Sequence, residues 1–494
     1  MNVNLLQKFN KNIIKWYPFK NNTKILQIGE NKQITEELKT FSKNIEVVTN
    51  INNNKKNVYD YIVIYGYENF QKIIEKIKCF LKDDGKILII GNNSLGVNNW
   101  SKYSINSDVG VTSLENYVTN LKTIKQVKNE IKDNEFTNIN IFYVFPNYQY
   151  AELIVKDGAN IGSELFDRYN PQIMENEVKV FNERNVLKNI NKCSNEYLDL
   201  FANSYFIEVS NSAQECDYEF ISYNNCRKEE YQLITIKNKD YIIKVPANKK
   251  SSKHIENMNG IIEDLKKDKI EIVDHVEKEK LYSKLIKNEA TLDTIISEKY
   301  NDIDKIIEIL NDFKTKVLLK NSIKYAECKH FITLNMDVEK LEKLNFVRNG
   351  YWDLIPKNCF YINNEFVFFD QEWKKQYLPV EFIIYRSIIN CYDLVRKVNI
   401  DEILKKMNIL EYKKDFEKID SDLREQIIDK EVYKLMYEKN NLKAIDNLIN
   451  DNKSLVEENE RKNDYIKSLE LIIKDLKKDN ENKQNYIDIL EKNK

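Results

Sequence analysis

The C-terminal stretch carries an apolar stripe that a single chain cannot bury by itself. Positions taken alternately three and four apart from Ile445 to Leu490 fall into seven unbroken heptads, with Ile or Asn at one seam position and Leu or Lys at the other. A stripe this narrow on a lone solvated helix has nothing to pack against, so the spacing predicts a coiled coil over residues 435–494. Ile at a with Leu at d favours two parallel strands, and Asn452, Asn459 and Asn480 at a positions fix register and keep the oligomer small. A homodimer is the expected state and a trimer the second choice.

The residues ahead of this helix are too many for one hydrophobic core and suffice for two. From Lys24 to Glu208, short apolar runs alternate with amphipathic stretches, as strands joined by crossover helices do. The runs are Lys24–Ile28, Ile45–Val48, Tyr61–Tyr65, Lys86–Ile90, Ile139–Phe145 and Tyr205–Val209, with helical spacing over Thr35–Phe41 and Phe70–Leu81. They predict an α/β domain over residues 1–210 with a mostly parallel sheet. Beyond it, YEFISY, YQLITI and YIIKVP are closely spaced strands followed by helices, which predicts a separate α+β domain over 215–430. Within that domain, CFYI and EFVFF flank Asn363-Asn364, a two-residue hairpin signal.

Composition narrows the function classes. Lys+Arg 77 against Asp+Glu 78 leaves a net charge of -1, so bulk charge points neither to nucleic acid nor to an anionic membrane. The N-terminus lacks the apolar core of a secretory signal, and no stretch approaches the roughly 18 uncharged apolar residues of a spanning helix. A cytoplasmic protein is expected, reaching the inner face of the membrane only through partners. Seven scattered cysteines without a C-x-x-C pair predict reduced thiols, and three isolated histidines argue against histidine triads and metal cages. Only ten glycines leave few loops able to cradle phosphate.

The segment KILQIGENKQITEEL sits where a first strand turns into a first helix. It resembles the cofactor loop of class I S-adenosylmethionine-dependent methyltransferases, in which an acidic residue is followed by three alternating glycines. Gly29 matches the first glycine, Asn31 and Gln33 stand in place of the next two, and Gln27 replaces the acid. Val48-Thr49-Asn50 stands where the family places a ribose-binding carboxylate. YDYIVIYG, LKDDGKILIIGNNSLGVNNW, FYVFPNYQYAELI and FANSYFIE resemble later segments of a subgroup found beside glycosyltransferases in surface-polysaccharide clusters. The resemblance implies a Rossmann-like fold with S-adenosylmethionine near Gly29, Glu30, Asp60 and Gly66. The missing glycines imply a scaffold that has lost methyl transfer.

The segment YWDLIPKNCFYINNEFVFFDQEW places Asp353, then Asn358 five positions later, then Asp370 at the end of the next strand. Phosphoryl transfer uses such a set: a carboxylate to take the acceptor proton, and an amide with a second carboxylate to hold Mg²⁺ on the phosphates of ATP. D-x-x-x-x-N is the spacing of the kinase catalytic loop, and the hairpin returns Asp370 towards Asn358. Lys244 in KDYIIKVPA supplies the strand lysine that such sites place on the nucleotide phosphates, with Glu256 the nearest helix carboxylate and Glu263 at a more usual separation. Arg227 is expected on the surface, and Trp352 and Trp373 in packing.

Tyr351-Trp352 before the catalytic Asp, Gln371-Glu372 after Asp370 and the lack of a glycine-rich loop resemble aminoglycoside and choline kinases more than protein kinases. The order of the three parts resembles bifunctional enzymes that end O-antigen chains by phosphorylating and methylating the last sugar. That resemblance implies a bacterial surface-glycan assembly protein, with phosphorylation of a sugar or other small hydroxyl compound as the leading activity and glycosyltransferases as partners. Methylation of a glycan and a non-catalytic dimeric scaffold are the alternatives.

Overall fold

Twelve strands form one continuous sheet, and it runs through both halves of the globular chain. The computed structural model describes residues 6–49, 51, 56–66, 71–104, 122–171, 177–179, 181–211, 216–287, 289–437 and 445–492. In chain order the strands of the first half are β1 (Lys24–Ile28), β2 (Asn44–Val48), β3 (Tyr59–Tyr65), β4 (Leu81–Asn92), β5 (Lys102–Ser104), β6 (Asn138–Phe145), β7 (Leu153–Lys156), β8 (Glu177–Lys179) and β9 (Ser204–Ser210). Those of the second half are β10 (Phe220–Tyr223), β11 (Leu233–Lys237), β12 (Tyr241–Pro246), β13 (Glu271–Ile272), β14 (Asp274–Glu277) and β15 (Lys280–Lys284), then β16 (Ser322–Lys324), β17 (Asn345–Tyr351), β18 (Cys359–Ile362), β19 (Glu365–Phe368) and β20 (Lys374–Pro379). The large sheet has the order β14-β15-β12-β11-β10-β7-β6-β9-β4-β3-β1-β2.

Strands β2, β1, β3 and β4 are parallel, with α1 (Lys32–Leu38) and α2 (Gln71–Lys78) in the connections after β1 and β3. The apolar runs of β1, β3 and β4 are continuous because both faces are covered, whereas the edge strand β2 stays partly exposed. Along β3, Ile62 and Ile64 enter one core while Tyr61, Val63 and Tyr65 enter the other. Strand β9 returns antiparallel between β4 and β6, and every pairing from there outward is antiparallel. The expectation of a mostly parallel sheet therefore fails outside the first four strands. The short connections β10–β11, β11–β12 and β14–β15 cannot reverse the chain twice, so they give antiparallel neighbours.

The halves are joined at β7 and β10, where Ser222 lies opposite Leu153. The five strands β10-β11-β12-β15-β14 receive α3 (Ser252–Lys267) between β12 and β14. Most of the second half, from Leu233 to Ile427, shares its own apolar core, which includes Phe313, Phe368 and Phe382 and is built largely on α4 (Val380–Ile389) and α5 (Lys413–Ile427). Strands β18 and β19 form the expected hairpin, with Asn363 and Asn364 at φ 52° and 62°, as a type I′ turn demands. At the C-terminus, α6 (Ile445–Lys492) is one helix of 48 residues, about 72 Å long. Its seam residues Ile466, Leu469, Ile473 and Leu476 are 40–60% exposed in the single chain. No described helix is long and apolar enough to cross a membrane.

Candidate functional site

In an open parallel sheet the ligand crevice lies beyond the carboxyl ends of the strands, where the strand order reverses. Here β1 is followed by β2 on one side and β3 on the other, so that point falls between β1 and β3. Gly29 and Gly66 end these two strands, at φ 93° and 63°. A Cβ on Gly29 would lie 2.5 Å from the Tyr65 carbonyl oxygen, so the turn requires glycine for close approach as well as for its backbone angle.

Gln27 is fully buried beneath this turn. Its Nε2 donates to the Gly29 carbonyl at 2.9 Å, and its Oε1 accepts from Thr35 Oγ1 at 2.9 Å. An amide can brace the loop in both directions, which a carboxylate cannot. Asn31 is the N-cap of α1, with its Oδ1 accepting the Ile34 N–H at 3.0 Å. Its side chain is thus turned onto the first turn of the helix. Glu30 is exposed beside the turn.

Asp60 is misplaced as a cofactor residue. It lies at the amino end of β3, opposite the crevice, and accepts from the Lys24 N–H and from Lys82 Nζ at 2.7 Å each. Val48 and Thr49 end β2 near the crevice, whereas Asn50 lies outside the described residues.

The second half presents a different site. A cleft of about 380 Å³ lies between one face of β10, β11 and β12 and the turn after β19. Lys244 on β12 is buried at its floor and is bonded to both Asp370 and Glu372. Burial opposes the lysine charge, but the two carboxylates outweigh it and hold the pKa up at about 12. Burial would likewise raise Glu372, yet Arg227 and Lys244 hold it well below the usual carboxylate range. Arg227 pairs with Glu372 and lies over the Trp373 ring, so it is a wall of the cleft and not the surface residue expected.

Asp370 adopts φ 60°, a left-handed conformation uncommon outside glycine. Its N–H donates to Asp274 Oδ2 at 2.7 Å, which fixes the turn from below. Lys244 holds one carboxylate oxygen, and the side chain remains 38% exposed to the cleft. Asn358 Nδ2 donates to the Asp353 carbonyl at 3.2 Å, leaving its Oδ1 as a free-standing acceptor group. Gln371 Nε2 donates to the same carbonyl at 2.9 Å, tying the two motif segments together. Asp353 faces Arg386, 3.7 Å away, and burial raises its pKa to about 6 despite that cation, with Glu372 and Asp370 adding to the rise. Arg386 in turn donates to the Trp352 carbonyl at 2.8 Å and is anchored on Asp420.

The structure therefore brings Asp370 onto Lys244 and ties Asn358 and Gln371 to the Asp353 carbonyl behind them. It does not bring Glu256 to Lys244. On α3, His254, Ile255 and Met258 face inward, so Glu256 falls on the exposed face, and Glu263 is exposed as well. Glu372 takes the place expected of a helix carboxylate. The left-handed turn at Asp370, and not strand alternation, turns both carboxylates onto Lys244. His254 Nε2 stands 3.6 Å from Glu372, and its ring stacks on Trp373 at 4.6 Å, which confirms that tryptophan in a packing role. Trp352 packs against Arg386 at 4.8 Å.

No protein-family model matches the chain, and no curated protein does. Among solved structures, Haemonchus contortus phosphoethanolamine N-methyltransferase 2 is 17% identical over 43% of this chain and 54% of its own, with a TM-score of 0.24. This chain thus matches about half the length of that enzyme. A S-adenosylmethionine-dependent methyltransferase from Archaeoglobus fulgidus is 14% identical over 40% of this chain and 91% of its own, with a TM-score of 0.26. Geranyl diphosphate C-methyltransferase from Streptomyces coelicolor A3(2) is 9% identical over 41% and 79%, with a TM-score of 0.25. Scores this low carry no weight alone. Strand order, switch point and glycine turn give part of the chain a Rossmann-like α/β fold.

Proposed function

We propose that the second half transfers a phosphoryl group from ATP to a hydroxyl of a small acceptor, with the cleft over Lys244 as its active site. The observation that carries this reading is Asp370, held in a left-handed turn with its carboxylate on Lys244 and open to the cleft. Strand order supports it too. Lys244 lies on the third of five antiparallel strands, a helix follows, and the D-x-x-x-x-N loop and the hairpin to Asp370 come after it, as in kinase folds. Asn358 and Asp370 offer an amide oxygen and a carboxylate, hard donors that fit Mg²⁺, and that ion would neutralise charge on the phosphates. Asp353, with a pKa near 6, is poised to accept the acceptor's hydroxyl proton at neutral pH. Lys244 positions Asp370 and the phosphates. A sugar of a surface glycan or its precursor is the acceptor class that the family resemblance implies, and α6 pairs with a second copy through its Ile/Leu seam.

The test is calorimetric titration of the full chain with ATP in the presence of Mg²⁺, repeated on Asp370→Ala. Micromolar binding that the variant loses by at least tenfold is the expected result. No binding by the unaltered protein would refute the reading and leave a scaffold.

A second activity, methyl transfer from S-adenosylmethionine by the first half, is favoured by one observation. Asn31 caps α1 with its side chain, and Gly29 keeps the φ of 93° that a tight turn beside a cofactor needs. Titration with S-adenosylhomocysteine addresses it independently of the ATP site.

A further inference from the structure

We infer that the first half supplies a phosphate-binding group to the cleft of the second: Arg168, at the end of the short helical turn Ser163–Arg168, is a nucleotide-binding residue. This rests on the phosphotransfer reading given above. Three observations converge on Arg168.

The connection between β10 and β11, which in a kinase would be the glycine-rich cover of the phosphates, contains no glycine over residues 224–232. It is also tied down on the C-terminal helices: Lys228 N–H donates to the Ile427 carbonyl at 2.8 Å, and Asp429 N–H to the Cys226 carbonyl at 2.9 Å. A loop held this way cannot fold its N–H groups over a ligand.

Arg168 stands at the same mouth. Its Nη1 donates to Ser222 Oγ at 3.3 Å near the end of β10, and its guanidinium lies 5.4 Å from the centre of the Phe220 ring. Ser222 lies opposite Thr235, and Thr235 opposite Lys244, so Arg168 hangs two strand spacings, about 10 Å, from the lysine along one row of the sheet.

The other cations of the cleft are spent. Lys244 is bonded to Asp370 and Glu372, and Arg227 to Glu372. Among the described residues Arg168 makes no salt bridge within 4 Å; Asp370 acts on it only across the cleft, so it can turn its planar, permanently charged fork to an incoming phosphate without breaking a direct ion pair. Donors from the first half would then make nucleotide binding depend on how the two halves are joined at β7 and β10.

The experiment measures dissociation constants of ATP, ADP and adenosine, each with Mg²⁺, for the full chain and for Arg168→Gln, Arg168→Lys and Asp167→Asn. Arg168→Gln is expected to weaken ATP and ADP about tenfold and adenosine by less than twofold, with Arg168→Lys in between. Asp167, which lines the same cleft but bonds Lys188 at 2.6 Å, reports on the turn itself, and its variant is expected not to weaken ATP, ADP or adenosine. Equal ATP affinity in Arg168→Gln overturns the assignment and leaves the phosphotransfer reading standing. A loss shared equally with Asp167→Asn, or equal for adenosine, also overturns it, because the effect would then come from the fold of the turn. Failure of the unaltered protein to bind ATP would remove the phosphotransfer reading and this inference together.

Discussion

The turn after β1 and the cleft under β12 occupy one sheet, yet they are built from opposite materials. The first is backbone and a single glycine, braced by a neutral amide in Gln27. The second is a cluster of buried charges, in which Lys244, Asp370, Glu372 and Arg227 neutralise one another. A backbone site tolerates change in its side chains, which is why Asn31 can replace a glycine by turning onto its helix. A charged site does not, because removing one partner leaves another charge buried and unpaired, at a cost of about 3–5 kcal/mol.

Substitutions can set these two sites against each other. The largest effect is expected from Asp353→Asn. Turnover should fall by about 100-fold or more while ATP affinity stays within twofold, since the residue takes the proton and does not hold the nucleotide. In the unaltered protein kcat/KM should fall on the acid side through about pH 6, where Asp353 becomes protonated. Retained turnover in Asp353→Asn would refute its role as the base.

Gly29→Ala comes next. The methyl group would meet the Tyr65 carbonyl at 2.5 Å in a backbone region that alanine disfavours, at a cost of about 1–3 kcal/mol. Thermal unfolding should shift down and S-adenosylhomocysteine binding should be lost, with ATP affinity unchanged. A parallel loss of ATP binding would show that the sites are not separable.

The smallest effect concerns Glu152, a first-half residue on the wall of the second-half cleft. It is 2% exposed, and burial raises its pKa to about 8, although Asn170 N–H donates to it at 2.7 Å. Between about pH 4.5 and 8 the folded state keeps a proton that the unfolded chain has lost, so Glu152 costs stability as pH rises through that window. Glu152→Gln should therefore stabilise the chain at pH 8, by an amount that shrinks to nothing below about pH 4.5. Equal unfolding midpoints for the two proteins at pH 8 would contradict a protonated Glu152.

Much of this was legible in the residues. The six apolar runs of the first half fall within β1, β2, β3, β4, β6 and β9, because strands packed on a core leave short apolar segments between polar ones. The heptads of α6 and the Asn363-Asn364 turn follow from periodicity and from the φ that Asn tolerates. Lys244 and Asp370, singled out for the residue types and spacing that phosphoryl transfer would need, do meet in the fold.

Other assignments depended on direction. Asp60 and Gly66 lie on or just beyond one strand but at opposite ends, and only the sheet says which end carries the crevice. Glu256 seemed the partner of Lys244 by proximity in sequence, but its place on α3 turns it outward. Arg168 and Glu152 carry no local signal at all, since they reach the cleft from the other half through the pairing of β7 with β10. Periodicity, turn chemistry and motif spacing are properties of neighbouring residues, and the sequence by itself determined those. Which charges meet was decided by tertiary structure, because electrostatic partners are chosen by distance in space and by the burial that strengthens their attraction.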